Sequence, residues 1–229
     1  MNVIAHMIDC AQPLTPANCA GMKAAGISYV GRYLGYKSRG WSKGLTPAEV
    51  SIIHAHGLGI LPIWEGDPVD AEYFTPLQGS QDAQAAIEDA DWLGIPIATP
   101  IIFTVDFPAI AQDMNAIRAY LEAVKAAMKT HKFGVYGDYT VMSNTAADAY
   151  FQTVGWSSGQ ISPRADVYQR VVNQTLAGVQ VDFDDVYRDP GFWMPASAKP
   201  APTSSNTLYD TGYNSGISDA IAAIGKLKK

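Results

Sequence analysis

The feature that most constrains this chain is an alternation that runs through most of it. Short runs rich in β-branched and aromatic residues are separated by Ala-rich amphipathic runs. Strand candidates fall at 3–9, 28–34, 59–65, 100–106, 133–136, 153–156, 165–170 and 178–182. Helix candidates fall at 15–25, 46–56, 80–93, 111–130 and 139–150. Two of these helices open on a Thr-Pro pair, Thr15-Pro16 and Thr46-Pro47. The threonine hydroxyl caps free backbone N–H groups, and the proline sits in the first turn, where its missing donor is not needed. Strand then helix, repeated, builds a parallel sheet, because each helix carries the chain back to the starting edge. The run IIFTVDF is almost wholly apolar up to its aspartate, as a strand covered on both faces must be. Eight strands with five helices predict an α/β fold: a single (β/α)8 barrel of the TIM type, degenerate, with helices reduced or missing in the last third. An open doubly wound sheet fits less well, since no Gly-x-Gly-x-x-Gly turn follows the first strand.

The chain has 229 residues, 48% of them hydrophobic, which suits one sizeable core. The barrel is expected over 1–195. The remainder, 196–229, reads as a linker (ASAKPAPTSSN) and a short helical tail with Ile217, Ile221 and Ile224 at helical spacing. Three roles are open to such a tail: docking on the barrel, pairing with another chain, or beginning a lost domain. A formal net charge of −6 argues against nucleic acid as a partner, and no apolar run is long enough for membrane insertion. The first nine residues read as a strand rather than a signal peptide. Cys10 and Cys19 are too few for a disulfide framework, and either two thiols or one bridge is open to them. With no Cys-x-x-Cys pair or His-Glu-x-x-His motif, neither a metal nor a cofactor is expected.

Polar residues gather where the predicted strands end. Asp9 ends the first, Arg32 and Tyr33 the second, Glu65 the third and Asp106 the fourth. Tyr136 ends the fifth, Trp156 the sixth, Gln169 the seventh and Asp182 the eighth. In a TIM barrel the C-terminal ends of the strands form the active face. A carboxylate at the end of a buried strand is costly unless it is paired or used, and four at four strand ends point to use. Several carboxylates beside aromatic side chains suit glycoside hydrolysis. One acid protonates the leaving oxygen, and another attacks, activates water or steers a substrate amide.

The segment YQRVVNQTLAGVQVDFDDVY resembles the closing part of family 25 lysozymes: an aromatic-Gln pair on one strand, a Gly-containing turn, then a V-D-x-N-type strand. Asp9 and Asp106 at the ends of the first and fourth strands fit the same layout. The segments VGRYL and TVDF look closer to a sister group of glycoside-hydrolase-like domains. The resemblance implies a lysozyme-like barrel acting on bacterial cell-wall peptidoglycan, at the cell wall, secreted or phage-delivered. It implies catalytic roles for Glu65, Asp106, Asp182 and Asp9, and substrate binding by Arg32, Tyr136, Trp156 and Gln169. One departure matters: family 25 lysozymes carry D-x-E on the fourth strand, whereas here Pro108 stands in place of the glutamate. Glu65, on the neighbouring strand, is the expected general acid, with Asp184 and Asp185 as further candidates that read equally well as surface or turn residues. Pro108 also keeps open a catalytically silent carbohydrate-binding or structural barrel in a cell-surface or phage assembly. A barrel enzyme for a small metabolite is a weaker alternative.

Overall fold

In the computed structural model, which describes residues 1–129 and 131–196, the alternation becomes a closed eight-stranded barrel. In chain order the elements are β1 (Ala5–Cys10), α1 (Pro16–Ala24), β2 (Tyr29–Tyr33), α2 (Tyr36–Arg39), α3 (Pro47–Ala55) and β3 (Gly59–Trp64). A 3₁₀ turn (Ala71–Tyr73) leads into α4 (Pro76–Leu93), β4 (Ile101–Thr104), α5 (Met114–Met128), β5 (Phe133–Gly137) and α6 (Tyr139–Asn144). β6 (Ala149–Thr153), β7 (Val167–Leu176) and β8 (Val179–Val186) follow with no helix between them. The expected linker and tail lie beyond residue 196, almost wholly outside the described residues.

Local chemistry explains the helix starts. Thr15 and Thr46 accept hydrogen bonds from the backbone N–H groups of Asn18 and Glu49, as the Thr-Pro pairs predict. A third such pair, Thr75-Pro76, starts α4 earlier than the expected residue 80, with the Thr75 hydroxyl accepting from Gln78 N.

Side chains alternate along each strand, so one set fills the barrel and the other packs beneath the helices. Met7, Leu61, Ile63, Ile102, Phe151, Val167 and Val186 belong to the inner set. Ile8, Val30, Ile60, Trp64, Phe103 and Val135 belong to the outer set. At the end where β1 to β7 begin, Phe192 stacks on Tyr29 with centroids 3.6 Å apart. The segment bearing it pairs with β3 through Ile60 and Trp193. Each fully buried apolar side chain contributes roughly 1.5–3 kcal/mol. That apolar packing closes one end and leaves the other free to carry polar groups.

Two sequence expectations need correction. The barrel is not parallel throughout, because β8 runs antiparallel to both β7 and β1. β7 and β8 form a hairpin around Ala177 (φ 50°) and Gly178 (φ 78°). Two residues with positive φ make the tight turn that joins antiparallel strands, whereas a parallel return needs a dozen residues or more. The sixth strand lies at Ala149–Thr153 rather than 153–156, and α6 stops at Asn144. Ala146, Ala147 and Ala149 favour helix locally, but Ala149 and Phe151 fill the barrel interior, a period of two that only a strand supplies.

Candidate active site

The strand alternation that packs Met7 and Val167 inside the barrel points Asp9 and Gln169 into it as well, two residues nearer the open end. Asp182 joins them from β8, because the antiparallel register sets it directly opposite Asp9. The sequence reading placed Asp182 at the end of its strand, but it lies within a longer one. The reversed direction of β8 brings its early residues to the open end.

Gln169 organises this centre. Its Nε2 donates to Oδ2 of Asp9 at 3.0 Å and to Oδ2 of Asp182 at 2.9 Å. Its Oε1 accepts from the Tyr136 hydroxyl at 2.9 Å and from Thr153 Oγ1 at 2.9 Å. Both amide protons and both carbonyl lone pairs are thereby used, which fixes the amide orientation. Asp182 Oδ1 also accepts from Asn173 N at 2.7 Å. Asn173 is in the left-handed region (φ 59°), at a register shift in the β7–β8 pairing.

Around this bridge lies a cleft of about 310 Å³. Asp9, Glu65, Asp106 and Asp182 line it, with Tyr33, Tyr136 and Trp156 as aromatic walls. Trp156 follows β6 in a loop, with φ 56° and 49% of its surface exposed. Seven of the eight residues singled out from the sequence therefore meet in one cleft. Arg32 does not. In β2, Tyr29 and Tyr33 point inward, so Arg32 between them points outward. It is wholly buried, with Nε 2.7 Å from Oε1 of Glu49 and Nη2 donating to the Lys43 carbonyl at 3.0 Å. It ties β2 to α3 and to the intervening loop and does not line the cleft. Asp184 and Asp185 are not turn residues either, since both lie in β8. Asp184 is buried on the barrel-facing side, while Asp185 faces His6 and Arg170, each at 3.4 Å.

The electrostatics set the acids apart. Asp9 is pushed up to about 8, first by burial and then by the charge of Asp182, against the lowering effect of the Gln169 hydrogen bond. Burial also raises Asp182, with the Asn173 bond opposing. Asp106 is raised by burial and then by the charges of Glu65 and Asp182, with Lys43 opposing. Glu65 pairs with the Lys43 ammonium at 2.6 Å. Lys43 lies 4.4 Å from the Tyr33 ring centroid, which helps to keep it in place. Sequence reasoning missed Lys43, because a lone lysine in an irregular loop carries no periodic signal. Pro108 is exposed, two residues past Asp106. Cys10 and Cys19 are both buried free thiols, pushed up to about 12 and about 11, chiefly by burial.

Comparison with known proteins agrees with this fold. Residues 20–191 match the sequence model of the Rv2525c-like, glycoside hydrolase-like domain. The uncharacterised protein YbfG of Bacillus subtilis is 32% identical over 157 residues, which cover 62% of this chain. They cover 21% of YbfG, so the matched region is about a fifth of that relative's length. The crystal structure of the Tat-secreted protein Rv2525c of Mycobacterium tuberculosis, in complex with L-tartrate, superposes with a TM-score of 0.70 at 21% identity. It covers 83% of this chain and 99% of its own. The modular autolysin LytC of Streptococcus pneumoniae, in complex with a synthetic peptidoglycan ligand, superposes with a TM-score of 0.52 at 12% identity. It covers 80% of this chain and 46% of its own.

Proposed function

The chain belongs to the Rv2525c-like, glycoside hydrolase-like domain family, and on that footing we propose that its cleft binds and hydrolyses β-linked amino-sugar polysaccharide of the bacterial cell wall. The observation that carries this reading is the Gln169 bridge, which holds Asp9 and Asp182 together in a cleft that also presents Glu65 and Asp106. Glycoside hydrolysis needs a protonated acid and an ionised carboxylate in one place, and unequal surroundings supply both. Asp9, pushed up to about 8, retains its proton at neutral pH and is the proton donor. Glu65 and Asp106 face the developing positive charge of the sugar, and Asp182 orients the substrate amide. On this reading the donor is Asp9, the carboxyl that is pushed up, rather than Glu65, the expectation from sequence. Tyr136 and Trp156 offer aromatic faces to the rings. The autolysin's peptidoglycan ligand supports the substrate class, and the Tat secretion of Rv2525c supports action outside the cytoplasmic membrane.

Variant kinetics on purified peptidoglycan test the assignment. Glu65→Gln and Asp106→Asn should each lower turnover by ~10²–10⁴-fold, with melting temperature retained. Asp9→Asn should remove the alkaline limb of the pH–rate profile. Loss of that limb in Glu65→Gln instead would return the proton to Glu65. Pro108 favours a second reading, a barrel that binds cell-wall glycan without cutting it. Saturable binding with no new reducing ends would establish that reading.

A further inference from the structure

Beside Glu65 the cleft meets a second cavity of about 580 Å³, lined by Arg39, Trp41, Lys43, Asp67, Tyr73 and Asp82. Glu65 lines both cavities. Each volume lies within the roughly 300–1,000 Å³ usual for small-molecule sites.

The walls of this side pocket are held in place. Asp89, buried on α4, accepts from the backbone N–H groups of Gly35 (3.1 Å), Lys37 (3.0 Å) and Ser38 (3.1 Å), and from the Ser38 hydroxyl. That clamp fixes the start of the loop that presents Arg39, Trp41 and Lys43. Trp41 packs over Gly35, whose φ is 101° and where an added Cβ would lie 2.0 Å from the indole. On the facing side, buried Asp82 accepts from Tyr73 OH at 2.5 Å, Tyr120 OH at 2.8 Å and Gln78 Nε2 at 2.8 Å. The two cations are balanced by carboxylates: Lys43 lies 2.6 Å from Glu65, and Arg39 lies 3.8 Å from Asp82. A pocket with paired charges, aromatic walls and many hydrogen-bonding groups favours a neutral, hydroxyl-rich ligand over an ion.

We propose that this side pocket is a second sugar subsite, continuous with the carboxylate cleft, and that a glycan chain crosses from one to the other over Glu65. The proposal rests on the polysaccharide reading above and deepens it. A glycosidic bond joining sugars in the two cavities lies against the only residue that lines both, among those described. Lys43 is then a positioning residue for Glu65. The domain recognises the interior of a chain rather than a single terminal sugar.

Calorimetric titration with N-acetylglucosamine and its β-1,4-linked disaccharide tests this. Wild type should bind the disaccharide about tenfold more tightly than the single sugar, or better. Trp41→Ala, which removes the platform, should bring that ratio close to one. Trp41 packs against the core, so Ser42→Trp, which adds bulk from an exposed position, provides an independent test. Melting curves verify the fold of each variant. A wild-type ratio near one, or a ratio that survives in folded variants, overturns the second subsite while leaving the cleft assignment intact. If wild type binds neither sugar, the polysaccharide reading falls and the subsite with it.

Discussion

Replacing Asp9 by asparagine tests the electrostatics of the cleft in a way that needs no substrate. Asp9 is 5% exposed, and its carboxyl is raised from an ordinary 3.8 to about 8, with burial as the largest cause and the Asp182 charge next. Between those values the unfolded chain has released the Asp9 proton and the folded chain has kept it. The contribution of Asp9 to stability is therefore fully present below about pH 4, falls as pH rises, and is lost by about pH 8. At about 1.4 kcal/mol per pH unit, the interval from 3.8 to about 8 gives a ceiling of about 6 kcal/mol. Asparagine has the same shape, and its carbonyl can accept the Gln169 hydrogen bond, but it carries no titrating proton. Asp9→Asn should match wild type near pH 4 and become the more stable protein as pH rises to 8. Urea denaturation across this range gives the difference directly, including the relief that losing the Asp9 charge brings to the buried Asp184 beside it. A difference that stays flat across the range would refute the raised Asp9 and the proton-donor role built on it.

Three further outcomes follow from the same contacts. Arg32→Met leaves the buried Glu49 carboxylate without its guanidinium, so the urea midpoint should drop by the equivalent of about 3–5 kcal/mol. Asp89→Ala strands three N–H groups of the loop after β2, that of Gly35 buried and those of Lys37 and Ser38 partly so. A stability loss of roughly 1–3 kcal/mol and faster limited proteolysis there should result. Gln169→Leu removes a bond that lowers Asp9, so the alkaline limb of the pH–rate profile should move to higher pH.

Much of the barrel could be read from the chain because its first two-thirds obey local rules. Thr15-Pro16 and Thr46-Pro47 mark helix starts by chemistry that acts within one turn, and the apolar run ending at Thr104 is a strand by composition alone. The β7–β8 hairpin was harder to read. Its strands carry polar residues such as Arg170, Asn173 and Gln174 within a long ribbon, and the Ala177-Gly178 turn is short enough to pass for an ordinary loop. The site was legible where a single acid ended an apolar run, as at Asp9 and Asp106. It was misread at Arg32 because neighbouring strand residues face opposite ways, so Arg32 and Tyr33 could not both enter the cleft. The saturated hydrogen bonding of Gln169 and the Lys43–Glu65 pair arise from contacts across the fold, which no local pattern encodes.

The central claim, that this carboxylate cleft cuts cell-wall glycan, is tested most directly by counting new reducing ends released from purified peptidoglycan over time. The account predicts steady release by the wild-type protein near neutral pH, declining as pH rises past 8, and strongly diminished in folded Glu65→Gln and Asp106→Asn. Wild-type protein that binds the same peptidoglycan yet releases no reducing ends above buffer would contradict it.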